Sequence, residues 1–454
     1  MSPVAAPAAA TATDVTPQPA ESASLETAPS SEDPSWNMTS YLGGVKIVPG
    51  SSVKLAQQEI ASARDILQTG TWGAGNVAAG LVSLLPQVLL AQAAAALTTW
   101  QHSIEGVKSA YADTVGVPVI HQLVGLGLVA TTMLPSVATV ALEAASLTVP
   151  WVGVFGAPAA AAEASQLVDQ AQMNGLVYAV VPFLVGGNSI QTADVSINGG
   201  PWAPVQLDTG SSSLTTTNEY VGQDGLGPST GTGVGGYGEG PTAVKYIYDS
   251  YTTRFTLPGR ISSGPTTVNV AQPGTSAQSY NSYVYNDGVV GVLGLAANRG
   301  VGPNNIVKLP GELNNGVLLL QFGLWGLAVF GPNPLPVRAS VPGAPDAYAQ
   351  IQINDGPKQK ANAVFDSGGV FGSVPASLVG TGQTSGDLPF GTRISVYTGD
   401  GQTLLYSYTT SKERSTDVYE SDDFNTGNIP FQLGPVYIDY SQPDGIGTIA
   451  FSYL

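Results

Sequence analysis

The sequence predicts a mainly β fold of two similar lobes over residues 188–454, preceded by an apolar α-helical region and an unstructured N-terminal tract. Three observations carry this. Beyond Gly187 the chain runs in short segments rich in Val, Ile, Thr and Tyr, broken by clusters such as Asn198-Gly199-Gly200-Pro201 and Pro258-Gly259, the grammar of strands and hairpins. From about 52 to 185, apolar residues recur instead at three- and four-residue spacing or in long uncharged runs, the helical pattern. Residues 188–454 also contain one segment twice, which points to two lobes, about 188–335 and 336–454.

Residues 1–35 are an Ala/Pro/Ser/Thr tract with five acidic residues and no basic one. Such a tract cannot bury enough apolar surface to offset chain entropy and is expected to be a disordered linker. It also lacks the basic and apolar segments of a secretory leader. Residues 36–187 form the expected helical region. Within it, Ser52 to Leu67 places Val53, Ala56, Ile60, Ala63 and Leu67 on one face, with Lys54, Gln57, Glu59 and Arg64 between them, an amphipathic helix. Ala78 to Trp100 carries no charge and is interrupted by Pro86. Leu123 to Leu142 is a 20-residue charge-free run, long enough to span a bilayer. A buried helix pair broken at Pro135 is favoured instead, because the flanks show no Lys/Arg asymmetry and four hydroxyl residues dilute the run. Membrane or cell-envelope association through this region is the alternative.

The duplication carries the chemistry. Ile197-Asn198-Gly199-Gly200-Pro201 leads into Val205-Gln206-Leu207-Asp208-Thr209-Gly210-Ser211, and Ile353-Asn354-Asp355-Gly356-Pro357 leads into Ala363-Val364-Phe365-Asp366-Ser367-Gly368-Gly369. The two aspartates lie 158 residues apart. The turn-to-aspartate spacing is 11 residues in the first copy and 13 in the second, which predicts a two-residue hairpin extension. In each copy an apolar strand delivers a carboxylate to its end, and a small hydroxyl residue follows that can bond the opposite loop. A glycine then lets backbone approach without a Cβ clash. Two carboxylates brought face to face, about 3 Å apart, share one proton, so that one acts as base toward water and the other as acid toward a carbonyl.

Asp208-Thr209-Gly210-Ser211 and Asp366-Ser367-Gly368 resemble the paired active-site motifs of pepsin-like aspartic proteases. Val292-Leu293-Gly294-Leu295-Ala296 is similar to the apolar-apolar-glycine element that threads behind the catalytic loop in that family, and Phe431-Gln432-Leu433-Gly434-Pro435-Val436-Tyr437-Ile438 resembles its second-lobe partner. Tyr237-Gly238-Glu239-Gly240, 29 residues after Asp208, is similar to the tip of the family's substrate-covering hairpin, or flap. The apolar helical segment before a cysteine-free domain, with Asp-Ser-Gly-Gly as second motif, further resembles the mycobacterial aspartic proteases that process PE-domain proteins.

The resemblance implies a bilobal pepsin-like fold and an endopeptidase with Asp208 and Asp366 as catalytic residues. Thr209, Gly210, Ser211, Ser367 and Gly368 would be supporting residues, with Tyr237 and Gly238 binding substrate from the flap. It implies no cofactor or metal. It also implies type VII export, a secreted or cell-surface location, and PE-domain proteins or the chain's own N-terminal region as substrates. Two departures are visible. Gly369 stands where family members carry the hydroxyl that bonds the aspartate, and Gln432 stands where an apolar residue is usual. The missing hydroxyl keeps open an inactive, protease-like binding module, and the apolar helices keep open a surface structural protein.

Composition narrows the chemistry independently. The chain has no cysteine, which excludes thiolate nucleophiles, disulfides and cysteine-ligated metals. Both histidines, His102 and His121, precede the β-region, which excludes a Ser-His-Asp triad built within it. A net charge of −17 speaks against nucleic acid as a partner, since a phosphate-binding surface needs clustered Lys and Arg.

Overall fold

The structure is a computed structural model that describes residues 51–71, single helical positions between 83 and 100, and 178–453 apart from a few loop residues. The chain divides into two units, Met1–Val48 and Pro49–Leu454, and the described residues all belong to the second. The 1–35 tract and the Leu123–Leu142 run lie outside the described residues, and among the described residues no helix is long and apolar enough to cross a membrane.

The amphipathic segment forms a helix, α1, over Ser51–Gly70. Ile60 and Leu67 are buried, and so are Arg64, Asp65 and Gln68, so the helix packs on more than its apolar stripe. Arg64 pairs with Asp194 of the strand Gln191–Ile197, and Gln68 donates to the Val180 carbonyl. Asp65 accepts from the Gly259 N–H at 3.1 Å. A buried charge is tolerated only with a partner, and Asp194 supplies one for Arg64. Burial nevertheless pulls the guanidinium down to about 10.

The β-region begins at Ala179, within the segment expected to be helical. The run Ala179–Val185 is apolar at nearly every position, and a short run of that kind has no period to separate strand from buried helix. It is a strand because it lies between two others, pairing antiparallel with Trp325–Phe330 and, at its end, with Gln191–Ile197.

Among the described residues, strands form one sheet of 15 and one of eight. The sheets do not follow the chain in two consecutive halves. Val436–Asp439 and Thr448–Ser452 return to the first sheet, where Val436–Asp439 pairs antiparallel with Gly316–Phe322. Val337–Pro342 joins the same sheet through Thr448–Ser452. The apolar ends of the second half are thereby buried against strands of the first, with Val317, Leu319, Ile438, Ile449 and Phe451 in one core.

The duplicated segment has the same local structure twice. Gln191–Ile197 pairs antiparallel with Trp202–Asp208, and Asp346–Ile353 with Gln359–Val364. At both turns an asparagine takes a left-handed conformation, Asn198 at φ 51° and Asn354 at φ 52°, which asparagine tolerates better than most residues. The registers place Ile197 and Ile353 equally far from their turns. The two-residue difference in spacing therefore lies at the aspartate end. Asp208 is the last residue of its strand, whereas Asp366 stands two residues past Val364.

Candidate active site

Each aspartate strand gains a parallel neighbour that passes behind the loop. In the first copy this is Gly291–Gly294, pairing Gly294 with Asp208, as the Val292-Leu293-Gly294 motif predicts. In the second copy it is Asp423–Asn425, pairing Ala363 with Phe424 and Val364 with Asn425. The ladder ends there, and the Asp366 N–H donates to Thr426 Oγ1 at 3.1 Å. This corrects the expectation for Phe431-Gln432-Leu433-Gly434: Ile429–Leu433 is a short helix, and the element behind the second aspartate is Phe424-Asn425-Thr426-Gly427. The glycines are required by close approach, because a Cβ on Gly294 would meet Ser211 and Ser212 backbone, and one on Gly427 would meet Gly372. The signal available in the sequence was an apolar residue followed three positions later by glycine, obscured by the polar Asn425 and Thr426 between them.

The two loops lock onto each other with near-twofold symmetry. The Thr209 N–H donates to Ser367 Oγ at 3.0 Å, and the Ser367 N–H donates to Thr209 Oγ1 at 2.7 Å. Each hydroxyl then donates across to the opposite strand, Thr209 to the Phe365 carbonyl at 2.5 Å and Ser367 to the Leu207 carbonyl at 2.8 Å. Thr209 and Ser367 are both buried, so all four bonds form away from water. Gln206 adds a fifth link, donating to the Gly368 carbonyl at 2.8 Å.

This lock brings the two carboxylates together: a Cβ on Gly210 would lie 2.5 Å from Asp366 Oδ1 and 3.0 Å from Asp208 Oδ1. Gly210 faces Asp366 and Gly368 faces Asp208 so closely that a Cβ on either would run into the opposite Oδ1. The inner oxygens are thus the two Oδ1 atoms. Asp208 Oδ1 accepts from the Gly210 N–H at 2.7 Å, and its Oδ2 accepts from the Ser211 hydroxyl at 2.5 Å. Asp366 Oδ1 accepts from the N–H groups of Gly368 and Gly369 at 2.9 and 3.1 Å. Its Oδ2 accepts from Asn425 Nδ2 at 2.9 Å, a residue that sequence reasoning missed. Burial, and then the neighbouring Asp366 carboxylate, push the Asp208 carboxyl up to about 8, against an ordinary aspartate near 4. Asp208 is therefore suited to hold a proton near neutral pH.

The dyad lines a cleft of about 710 Å³ whose other wall is the hairpin Gly231–Tyr237 with Val244–Thr253. Tyr237 ends the first strand of that hairpin, half-buried, stacking on Tyr246 at 5.7 Å and Tyr283 at 5.2 Å between centroids. Burial, then Tyr246, raises its hydroxyl well above the ordinary tyrosine value. Gly238 follows at φ 77° and also lines the cleft, whereas Glu239 and Gly240 lie outside the described residues. A Cβ on Gly235 would strike the Tyr246 ring, so glycine there is what lets the tyrosines pack beneath the strand. Among the described residues Gly231–Tyr237 is the last strand of its sheet, with no strand paired along its outer edge. Arg299 stands at the cleft wall, bridging Asp346 at 2.6 Å and Asp423 at 3.3 Å. Among the described residues no cluster of three or more His, Asp or Glu could hold a metal.

Known proteins resemble this chain over part of its length. It is 38% identical over 289 residues to PE cleavage protein A of Mycobacterium tuberculosis (strain CDC 1551 / Oshkosh), covering 58% of this chain and 50% of that protein. It is 34% identical over 297 residues to PE cleavage protein A of Mycobacterium marinum (strain ATCC BAA-535 / M), covering 60% and 52%. The chain therefore spans about half the length of the curated relatives it matches. A solved structure, the aspartic proteinase from Irpex lacteus, aligns at 15% identity and a TM-score of 0.42, covering 61% of this chain and 97% of that one. The model of the PE-PGRS C-terminal aspartyl peptidase-like domain matches residues 179–449, a span that begins at the strand Ala179–Val185 and includes both aspartate loops, and the chain belongs to that family.

Proposed function

We propose that the chain is an aspartic endopeptidase in which Asp208 and Asp366 together activate one water against a peptide carbonyl. The observation that carries the reading is the reciprocal placement of the two carboxylates on interlocked loops under a hairpin whose outer edge pairs with no described strand. One carboxylate removes a proton from the water as it attacks, the other donates its proton to the carbonyl oxygen, and the resulting gem-diol collapses as the amine is protonated. Thr209 and Ser367 keep the loops at fixed separation, Ser211 orients Asp208, and Tyr237 closes over the substrate. An extended substrate backbone suits the outer edge of Gly231–Tyr237, where it would add as a strand.

The substrates we propose are PE-domain proteins, a reading supported by the name of the relatives, or the chain's own N-terminal region. Such substrates call for a secreted or cell-surface location. Incubating the full chain with a complex peptide mixture from acidic to neutral pH, with and without a statine-type transition-state mimic, tests the activity. New internal peptide ends that the mimic suppresses are the expected result. A folded chain that cleaves nothing across that range refutes it.

A further inference from the structure

The two carboxylates do not meet the same chemistry at their outer oxygens. Asp208 Oδ2 faces the Ser211 hydroxyl, a group that can donate a hydrogen bond or, by rotating, accept one. Asp366 Oδ2 faces Asn425 Nδ2, which can only donate. The orientation of that carboxamide is set by its other end: Asn425 Oδ1 accepts from the Gly427 N–H at 2.8 Å, a contact only an oxygen can make, so the NH₂ group must point at Asp366. Asp366 Oδ1 is likewise surrounded by donors, the N–H groups of Gly368 and Gly369. Position 369 leaves room for this arrangement. A Cβ there would sit 3.3 Å from both Asn425 Oδ1 and Asp366 Oδ2 and 3.0 Å from Gly427 Cα, so a side chain at 369 and the Asn425 carboxamide compete for one space.

We propose that Asn425 is the positioning residue for Asp366, replacing the hydroxyl absent at position 369, and that its donor-only carboxamide places the dyad's shared proton on Asp208 and the negative charge on Asp366. An outer oxygen that meets only donors has no acceptor for a proton of its own, whereas a proton on Asp208 Oδ2 can be accepted by Ser211. Three N–H groups converge on the two Asp366 oxygens, and the upward shift of Asp208, caused by burial and then by the Asp366 carboxylate, has the matching direction. The other charged groups near the pair are Arg299, already bonded to Asp346 and Asp423, and Asp417 along the wall. Tyr237 and Tyr246 line the same cleft as Asp208.

This rests on the peptidase reading and assigns roles within it. Asp366 takes the proton from the attacking water, Asp208 gives its proton to the carbonyl oxygen, and the product of the step is a neutral gem-diol with the proton now on Asp366.

Two measurements on the full chain test it. In peptide cleavage, Asn425→Ala is expected to lower kcat about tenfold with KM little changed and to move the acid limb of the pH profile up by about one unit, one unit being one tenfold step. Asn425→Asp keeps the shape but swaps the donor for an acid, and is expected to work only at acidic pH, where its carboxyl is protonated and can donate. Wild-type profiles and rates in both variants would mean that Asn425 merely fills space and would overturn the proposal. The second measurement does not depend on activity. In carboxyl ¹³C NMR of the aspartate-labelled chain, the signal missing from Asp208→Asn should be the protonated one near neutral pH, and the signal missing from Asp366→Asn the ionised one. The reverse assignment refutes the proposal even if no peptide is cut, whereas absence of cleavage with the expected NMR assignment sinks only the peptidase reading.

Discussion

Replacing Thr209 by valine removes one hydroxyl while keeping the shape of the side chain, and that hydroxyl serves two backbone groups. It donates to the Phe365 carbonyl at 2.5 Å and accepts from the Ser367 N–H at 2.7 Å. Thr209 is 1% exposed and Phe365 0%, so neither backbone group can turn to water once its partner is gone. Leaving a buried group unsatisfied costs about 1–3 kcal/mol, and with two groups orphaned Thr209→Val should lose about 3 kcal/mol. Ser367→Ala orphans the Thr209 N–H and the Leu207 carbonyl and should lose a similar amount. The double variant should lose less than the sum, because a loop already released from one bond is no longer held in register for the other. Urea unfolding of the full chain, compared at constant m-value, measures all three, and peptide cleavage measures whether the dyad stays aligned. A loss under about 1 kcal/mol in both single variants, or strict additivity with unchanged kcat, would refute the idea that these hydroxyls hold the carboxylates at their working separation.

Stability should depend on pH through Asp208. Its folded carboxyl lies at about 8, against an ordinary value of 3.8. Between those values the folded chain holds a proton that the unfolded chain releases, so this contribution is complete below about pH 4 and is lost as pH rises through about 8. Asp208→Asn should therefore gain thermal stability relative to wild type as pH rises across that window, and a pH-independent difference in unfolding temperature contradicts it. Tyr237→Ala removes the one ring that stacks on Tyr246 at 5.7 Å and on Tyr283 at 5.2 Å and should lower kcat/KM about tenfold, with Tyr237→Phe close to wild type; equal effects of the two substitutions would show that stacking is not its role. Arg299→Met should cost less than about 1 kcal/mol because the guanidinium is partly exposed, and the loss should shrink with added salt. A salt-independent loss would point to packing instead.

Both aspartate loops were legible because duplication is visible where a single Asp-x-Gly is not: two apolar strands led by Asn-x-Gly-Pro identified Asp208 and Asp366 together. The turn asparagines and the Thr209 and Ser367 hydroxyls followed from the same pattern, and the Val292-Leu293-Gly294 element from the resemblance to pepsin-like proteases. Asn425 was not legible. It reaches Asp366 through a parallel strand pairing 59 positions away in the chain, and a polar residue inside a short element gives no periodic signal. The strand Ala179–Val185 was misread because burial on both sides erases alternation, which only its pairing with Trp325–Phe330 resolves. The return of Val436–Asp439 and Thr448–Ser452 to the first sheet was hidden for a related reason, since strand patterns record which face is buried and not which strand lies alongside.

The central claim, that two carboxylates share one reaction, is tested most directly by cleavage kinetics of the full chain beside Asp208→Asn and Asp366→Asn. Each substitution nearly preserves shape and leaves the other aspartate in place. The account predicts that wild type cleaves peptides and that either variant alone loses activity by at least about a thousandfold, since neither carboxylate can serve as both acid and base. A variant that retained more than about a tenth of wild-type kcat while folded would contradict it.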